Sequence, residues 1–412
     1  MSTADEALGT AFREEWGQVL ATLIRVTGDW ELAEECVQEA FAKALERWRA
    51  EGVPRRPGAW LTTAARNTAI DRLRRAAVGA DKLREVAAMW HEPGTPGSEE
   101  HAEIPDERLK LMFTCCHPAL TMEARVALTL RTLAGLRPAE IARAFLVGEA
   151  TISKRITRAK QKIKHAGIPY RVPPAHLLPE RTPSVLAVLY LLFTEGYAAT
   201  AGDALVRREL CAEAIRLARV LARLMPGEPE VSGLLALMLL HDARRAARVD
   251  ADGALVLLED QDRTRWDAAE IEEGTALLDA ALRQRDPGSY QVQAAIAACH
   301  ARAARPEDTD WAQIAALYGT LSRLHPAPVV ELNRAVAVGM AEGPAAGLAI
   351  ADALAASGTL SGYHLLPATR ADFLRRLGRT EAAAQEYRVA LELAGTEAER
   401  GYLRGRLTEL GG

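Results

Sequence analysis

The chain has 412 residues, too many for one ordinary core, and a net charge of −4. Its composition is 49% apolar and 5% aromatic, and the many Ala, Leu and Arg residues favour helices because they lose little freedom there. No apolar run approaches the roughly 20 residues of a bilayer span, the first residues lack a signal-peptide core, and five cysteines are too few for a disulfide framework. These features argue against a membrane or secreted protein and predict a cytoplasmic, all-α chain of several domains.

The first helical segment, residues 8–76, combines an acidic helix pair with a basic helix. "GDWELAEECVQEAFAKALERW" places apolar residues at helical spacing and leaves a polar side rich in Glu. An acidic side cannot favour DNA, so it suits a protein partner with basic residues. "RRPGAWLTTAARNTAIDRLRR" follows as a loop and then a helix that ends in Arg residues. The segment therefore predicts one protein-binding surface and one basic surface.

Residues 77–104 differ in character from both neighbouring segments. Six acidic residues and no Lys or Arg lie between Glu92 and Glu107, among Gly, Pro and Ser. This composition is typical of an acidic linker with little structure of its own.

The second helical segment, residues 105–168, carries a dense basic stretch. "LRPAEIARAF" predicts a short helix, and "LVGE" predicts a tight turn in which Gly148 is able to take a positive φ. "EATISKRITRAKQKIKH" predicts a longer helix whose buried seam is Ile152, Ile156, Ala159 and Ile163. Six Lys and Arg residues then face outward between Lys154 and Lys164. This order is a helix-turn-helix, whose second helix enters the major groove of DNA.

The recognition helix divides its outward residues between two kinds of DNA contact. Residues of its first turns are expected at base edges, and later lysines along phosphates. The base-edge candidates are Glu149, Thr151, Ser153, Lys154, Arg155 and Arg158. The phosphate candidates are Lys160, Lys162 and Lys164.

Residues 179–412 are predicted to be helical again. Ala371, Leu374, Gly378, Ala383, Tyr387 and Ala390 suit a tetratricopeptide-type helix pair, and Gly343 lies 35 residues before Gly378, close to the period of about 34. Asp252-Gly253 predicts one small β-hairpin, with "ALVLL" as its second strand.

Two further clusters look like a metal site and a group of catalytic carboxylates, but for each a structural role is preferred. Cys115, Cys116 and His117 are adjacent, which gives poor zinc geometry, so a buried helix end is preferred. "EDQDRTRWD" interleaves carboxylates with arginines, and we interpret it first as an ion-paired structural corner. Its alternative role is a regulatory docking surface of Asp260, Asp262, Arg263, Arg265 and Trp266. No metal, cofactor or catalytic residue is predicted.

Three motifs together resemble the extracytoplasmic-function (ECF) sigma factors of bacterial RNA polymerase. They are "GDWELAEECVQEAFAKAL", "PGAWLTTAARNTAIDRLRR" and "LRPAEIARAFLVGEATISKRITRAKQKIK", in family order over about residues 8–168. The resemblance implies a region 2 domain, an acidic linker that threads the polymerase's RNA channel, and a region 4 domain. It also implies core RNA polymerase and promoter DNA as partners.

The resemblance assigns roles to residues at matching positions. The set implied to dock on the core polymerase is Glu34, Glu35, Val37, Gln38, Glu39 and Phe41. The set implied to melt and read the minus-ten element is Arg55, Arg56, Trp60, Arg66, Asn67, Asp71, Arg72 and Arg75. For Trp60 a buried core position is preferred, and a position near nucleic acid is the alternative. The basic helix corresponds to the reader of the minus-thirty-five element.

The chain continues for about 240 residues beyond the end of ordinary members. "FTCCHPAL", "LLFTEGY" and "DQDRTRWD" resemble the subgroup with a tetratricopeptide-like extension. In that subgroup the extension is implied to regulate the sigma factor, and a small DGPF (YCII-related) protein is a candidate partner. Two alternatives remain: a one-component helix-turn-helix regulator with a helical sensor domain, and an enzyme that uses the C-terminal carboxylates. The acidic docking helix argues against the regulator, and nothing marks a substrate pocket for the enzyme.

Overall fold

The computed structural model describes residues 3–75, 107–145, 147–197, 204–248, 256–395 and 397–411. Throughout these ranges the regular structure is helical, which confirms the all-α prediction. The chain folds as two compact units, Met1–Leu192 and Phe193–Gly412. Among the described helices, none combines the length and apolarity that crossing a membrane requires. The predicted acidic linker, 77–104, lies outside the described residues.

The first unit begins with three helices: α1 (Thr3–Thr27), α2 (Trp30–Glu51) and α3 (Pro57–Arg75). The turn between α1 and α2 follows from local chemistry, because Gly28 takes a φ of 64° and Asp29 caps α2. The Asp29 carboxylate accepts hydrogen bonds from the backbone N–H groups of Glu31 and Leu32 at 2.9 and 3.1 Å. Aromatic rings at the α1–α2 contact then fix how the two helices pack.

Four shorter helices follow in the same unit. They are α4 (Glu107–Cys115), α5 (Met122–Thr132), α6 (Pro138–Ala144) and α7 (Glu149–His165). The buried residues of α7 are Ile152, Ile156, Ala159 and Ile163, which confirms the predicted seam. Gly148 does not use the positive φ that is open to a glycine, because its φ is −70°. Its carbonyl accepts the Thr151 N–H at 2.9 Å, so Gly148 is the extended N-cap residue of α7.

The helices α1–α3 and α4–α7 pack against each other within this unit. Gly17 of α1 lies so close to the end of α5 that a Cβ there would be 2.9 Å from the Leu133 carbonyl oxygen. Gly135 has a φ of 73°, and a Cβ there would meet the Phe12 ring at the same distance. Two glycines therefore permit a close approach between segments that the sequence predicts as separate domains.

In the described residues, the second unit is built from helices. Helix α8 (Leu178–Tyr197) crosses the boundary at Leu192, and ten more helices follow in the described residues. These are α9 (Ala204–Leu224), α10 (Pro229–Asp242), α11 (Ala268–Leu282), α12 (Ser289–Arg302), α13 (Trp311–Leu324), α14 (Pro328–Ala341), α15 (Pro344–Ser357), α16 (Leu365–Arg376), α17 (Thr380–Leu393) and α18 (Glu397–Glu409).

The predicted helix pair near the C-terminus is confirmed as α16 and α17. Ala371 of α16 and Ala383, Tyr387 and Ala390 of α17 are at most 1% exposed. Gly378 turns the chain between the two helices with a φ of 73°, and Gly343 does the same between α14 and α15 with a φ of 110°. Small residues at the crossing let the two helices of a pair approach closely.

The predicted β-hairpin is not supported where it can be checked. Its Asp252-Gly253 turn lies outside the described residues. Val256, Leu257 and Leu258, which belong to the expected second strand, form no strand. The Val256 N–H donates to the Arg248 carbonyl at 2.9 Å, a single bond with no ladder on either side within the described residues.

Candidate nucleic-acid interface

Helix α7 presents a cationic surface on the side opposite its buried seam. We define this surface by five residues: Lys154, Arg155, Arg158, Lys162 and Lys164. All except Arg155, which is half-buried, are exposed. The predicted base-edge residues Glu149 and Thr151 are exposed and Ser153 is half-buried, all in the first turns. A helix with base-edge residues in its first turns and cations along its length can enter the major groove and contact phosphates.

The short helix α6 and its turn hold α7 in place. The Arg137 backbone N–H donates to the Glu140 carboxylate at 2.7 Å, which caps the start of α6. Ile141 and Ala142 of α6 are buried, at 0% and 5% exposed. The Val147 N–H donates to the Ala142 carbonyl at 3.0 Å and closes the turn before α7. The helix-turn-helix predicted from spacing is therefore present.

Helix α2 exposes only half of its six predicted docking residues. Glu35 and Gln38 are exposed, and the Glu39 side chain is 38% exposed. Val37 is fully buried, and Phe41 is 7% exposed. The Phe41 ring packs against α1, with ring centres 5.1 Å from Phe12 and 5.9 Å from Trp16. Glu35, Gln38 and Glu39 thus form the outward acidic surface of α2, and Phe41 belongs to the core.

Helix α3 and its preceding loop carry the predicted minus-ten residues. Arg55, Arg56, Asn67 and Asp71 are exposed, while Arg66 is half-buried and burial lowers its pKa. The Arg75 side chain lies outside the described residues.

Trp60 of α3 is partly packed and partly accessible. Its ring meets the Trp48 ring edge-on, with centres 5.8 Å apart, yet the residue is only half-buried. One side of the indole therefore belongs to the α2–α3 packing, and the rest remains accessible.

Arg72 connects the acidic surface of α2 with the basic helix α3. Its Nη2 donates to Glu39 Oε2 at 3.0 Å, and its Nη1 pairs with Glu35. Lys43 pairs with Glu39 at 2.8 Å, and the hydrogen bonds from Lys43 and Arg72 hold the pKa of Glu39 below its usual range. Residues predicted for DNA and for the polymerase are thereby in direct contact.

A buried ion cluster joins α2 to α5 and α7. Glu34 Oε2 accepts from Arg131 Nη2 at 2.9 Å, and Glu34 Oε1 accepts from Lys160 Nζ at 2.7 Å. The three side chains are only 10%, 12% and 14% exposed. The Arg131 guanidinium also lies 5.9 Å from the centre of the Trp16 ring. We call Glu34, Arg131 and Lys160 the Glu34 cluster.

The Glu34 cluster changes the position expected for two predicted residues. Glu34 was assigned to the polymerase surface and Lys160 to DNA phosphates, yet each is largely buried against the other. Arg131 was not singled out from the sequence. Its bond to Glu34 spans 97 residues, and no periodicity or spacing signals a contact of that range.

The adjacent cysteines occupy the end of α4, as expected. Cys115 and Cys116 are 0% and 2% exposed, and their thiols contact Thr132 and Thr129. Burial raises the pKa of the Cys116 thiol to about 11. In the part of the chain that the structure describes, no three His, Cys, Asp or Glu residues are arranged to hold a metal ion.

"EDQDRTRWD" forms a structural corner of the second unit. Asp267 caps α11 through the N–H groups of Ala269 and Glu270 at 3.0 and 3.1 Å. Trp266 is 7% exposed, and the Arg263 guanidinium lies 4.8 Å from its ring centre. Arg263 donates to the His300 carbonyl at 2.7 Å and to the Ala303 carbonyl, so backbone carbonyls hold it rather than the predicted ion pairs. Of the proposed regulatory surface, Asp260, Asp262 and Arg265 remain exposed.

Comparison with known families matches three stretches of the chain. Residues 12–78 match Sigma-70 region 2, and residues 110–163 match Sigma-70 region 4. Residues 181–282 match a family of unknown function, DUF6596. No solved structure matches the chain.

Relatives cover either most of the chain or its first part. An uncharacterised protein of Rhizobium meliloti is 46% identical over 402 residues, which is 95% of this chain and 93% of the relative. The ECF RNA polymerase sigma factor SigL of Mycobacterium tuberculosis is 30% identical over 165 residues, 40% of this chain and 90% of SigL. SigK of Mycobacterium bovis is 30% identical over 152 residues, 36% of this chain and 79% of SigK.

The helix-turn-helix, the acidic helix α2 and the two matched regions define a sigma-70 type transcription factor. The chain belongs to the ECF RNA polymerase sigma factor family, with a helical extension after region 4.

Proposed function

We propose that the protein is an alternative sigma factor that binds core RNA polymerase through α2, guides it to specific promoters and helps to open the DNA. The observation that carries this proposal is the pairing of an exposed acidic surface on α2 with the cationic surface of α7. A regulator that only binds an operator needs the second surface but not the first. We assign polymerase docking to Glu35, Gln38 and Glu39.

The two DNA contacts are assigned to separate helices. The cationic surface of α7, with Thr151 and Ser153 at its start, would read the minus-thirty-five element. Arg55, Arg56, Asn67 and the accessible side of Trp60 would hold the melted minus-ten strand, because single-stranded DNA favours cations next to an aromatic ring. The protein would act in the cytoplasm and without a catalytic step of its own.

The second unit is proposed to regulate these activities. Asp260, Asp262 and Arg265 are its exposed candidates, and a small DGPF (YCII-related) protein is the partner that the subgroup resemblance suggests. Truncation after Tyr170 should change promoter activity if this proposal holds. Unchanged core binding and transcription after truncation would remove the basis for a regulatory extension.

Run-off transcription with purified core polymerase tests the main proposal. The intact chain should produce promoter-specific transcripts, and Glu39→Gln should reduce them together with core affinity. The matched control is Glu46→Gln, which neutralises an exposed carboxylate of the same helix outside the assigned surface and should leave transcription intact. Tight operator binding without polymerase, and no transcript with it, would favour the one-component regulator instead.

A further inference from the structure

Three arginines of the second unit lie close together where the ends of α8 and α10 meet the corner that precedes α11. Arg244 Nη2 donates to the Tyr197 hydroxyl at 2.8 Å, and the Arg248 guanidinium lies 3.6 Å from the centre of the same ring. The guanidiniums of Arg244 and Arg263 lie 5.8 and 4.8 Å from the centre of the Trp266 ring. We call Arg244, Arg248 and Arg263 the arginine cluster.

Within the described residues, no carboxylate pairs with the arginine cluster. Its hydrogen-bond partners are the Tyr197 hydroxyl and carbonyl, the His241 imidazole, and the His300 and Ala303 carbonyls. Asp242, at the end of α10, pairs with Arg245 instead, with Oδ1 and Nε 2.8 Å apart. Asp308 acts on Arg263 from a distance, but it is itself paired with Arg305 at 2.9 Å. The cluster therefore carries positive charge that the described side chains do not neutralise.

This excess charge is partly withdrawn from water. All three arginines are half-buried. Burial lowers the pKa of Arg248 and of Arg263, and the positive charge of Arg244 lowers both further. Charges that are taken out of water are normally paired in proteins. Because the cluster is only half-buried, a solute can still reach it.

The two histidines beside the cluster add no charge of either sign at neutral pH. Burial, assisted by Arg244, lowers the pKa of His241 to about 3 and that of His300 to about 4. His241 Nδ1 lies 3.2 Å from Arg244 Nη2 and can accept from it only as a neutral imidazole. The histidines therefore help to orient Arg244 without offsetting its charge.

Two buried donors next to the cluster have no acceptor among the described residues. They are the indole Nε1 of Trp266 and the Nε of Arg263. Trp266 is 7% exposed, so bulk water does not satisfy its N–H. Buried donors of native proteins usually have a partner. The site thus combines an excess of positive charge with spare N–H donors, and an oxyanion supplies what both require.

We propose that the arginine cluster is a binding site for a small phosphorylated molecule, whose phosphoryl group contacts Arg244, Arg248 and Arg263, with the Trp266 N–H as a further donor. A phosphoryl group carries a charge of about −1.5 to −2 at neutral pH and three acceptor oxygens, which suits several cations better than one carboxylate does. Planar guanidiniums also match the oxygens of phosphate in pairs. The inference goes beyond the proposed sigma function and does not depend on it, because binding is a property of the chain alone.

Calorimetric titration of the intact chain tests the site. The probes are inorganic phosphate, glycerol 3-phosphate and succinate, each added at neutral pH and at constant ionic strength. We expect the two phosphates to bind at one site and succinate to bind more weakly. Arg244→Gln should weaken phosphate binding about tenfold or more, as for a lost hydrogen bond between charged groups. The matched control is Arg283→Gln, which removes one exposed positive charge of the same unit and should retain the parent affinity.

Two milder variants keep the test decisive if Arg244→Gln does not fold. Arg248→Lys keeps the charge but loses the planar fork, so its affinity should lie between those of Arg244→Gln and the parent. Trp266→Phe keeps an aromatic ring and removes only the N–H donor, so it should weaken phosphate binding about threefold. Circular dichroism and thermal unfolding without added phosphate verify that each variant is folded.

The outcomes either support the site or overturn it. A folded parent chain that binds neither phosphate would show that the cluster is only a structural contact. Phosphate binding that Arg244→Gln, Arg248→Lys and Trp266→Phe all leave unchanged would place the anion elsewhere. Succinate that binds as tightly as phosphate would overturn the phosphoryl assignment. Tighter binding of glycerol 3-phosphate than of inorganic phosphate would support an ester as the ligand, and equal binding would support free phosphate. A chain that fails in run-off transcription but binds phosphate would refute the sigma function and leave this site intact.

Discussion

Arg72 of α3 donates to Glu39 of α2, with Nη2 and Oε2 3.0 Å apart, and also pairs with Glu35. The contact links the basic helix assigned to melted DNA with the acidic surface assigned to the polymerase. Because the Arg72 side chain is 35% exposed, the pair contributes little to folding but sets the orientation of two carboxylates.

Arg72→Gln should therefore separate stability from function. We expect a loss of no more than about 1 kcal/mol in the free energy of unfolding, as for exposed ion pairs. Open-complex formation should fall several-fold, because a minus-ten cation is lost and Glu35 and Glu39 are no longer oriented. Urea denaturation and permanganate footprinting measure the two effects, with the exposed neighbour Arg74→Gln as control. A large stability loss would instead make Arg72 a structural residue.

Phe41→Ala and Gln38→Ala should have different effects, the first mainly on stability and the second mainly on binding to core polymerase. Phe41 is 7% exposed among aromatic rings, so Phe41→Ala should cost about 3–5 kcal/mol of unfolding free energy. Gln38 is exposed on the same helix, and Gln38→Ala should change stability by less than about 0.5 kcal/mol while weakening core binding. Chemical denaturation and a core-binding titration test the pair. Equal stability of the two variants would contradict the buried position of Phe41.

The cationic surface of α7 should give salt-dependent DNA binding. Lys162→Ala should lower the slope of log affinity against log salt concentration by about 0.9 in magnitude, as for one lost phosphate contact. Arg158→Ala should additionally alter preference among promoter sequences, because it is assigned to base edges. Fluorescence anisotropy of the polymerase complex over a salt series measures both. The same slope for Lys162→Ala and the parent would place Lys162 away from DNA.

His241 and His300 should make the stability of the second unit depend on pH. Burial, assisted by Arg244, lowers the pKa of His241 to about 3 and that of His300 to about 4. In the unfolded chain the pKa of both imidazoles is about 6.5, so the unfolded state binds protons before the folded state does as the pH falls. Stability is therefore full above about pH 6.5 and declines below it, by up to about 1.4 kcal/mol per pH unit for each histidine.

Thermal unfolding between about pH 7.5 and 4.5, a range that spans the unfolded-state pKa, checks this dependence. His241→Asn should flatten the decline, although it costs some packing at all pH values. His325→Asn, at an exposed position of the same unit, is the control and should retain the parent profile. A decline of the same steepness in His241→Asn would show that other groups cause it.

Substitutions of Arg263 and Arg265 should show which of the two residues is structural and which belongs to the proposed regulatory surface. Arg263→Ala removes hydrogen bonds to the His300 and Ala303 carbonyls and the contact with Trp266, so we expect a loss of about 2–4 kcal/mol. Arg265 is exposed, and Arg265→Ala should leave stability unchanged while altering promoter activity. Calorimetry and run-off transcription measure the two. Unaltered transcription in a stable Arg265→Ala would remove this residue from the regulatory surface.

Local patterns in the sequence were sufficient for the helices, the helix-turn-helix and the C-terminal helix pair. The spacing of Ile152, Ile156, Ala159 and Ile163 identified the buried side of α7, because helical periodicity is set by neighbours a few residues apart. Gly343 and Gly378 marked the turns between paired helices for the same reason.

Only the tertiary structure decided which residues on the polar sides of the helices are exposed to solvent. Glu34 and Lys160 both occupy polar positions of amphipathic helices, yet they are buried together with Arg131. Phe41 was predicted as a docking residue, but its ring packs against Phe12 and Trp16. Glu34 and Arg131 are 97 residues apart in the chain, and a contact of this range depends on how whole helices pack against each other. The periodicity within one helix does not contain that information.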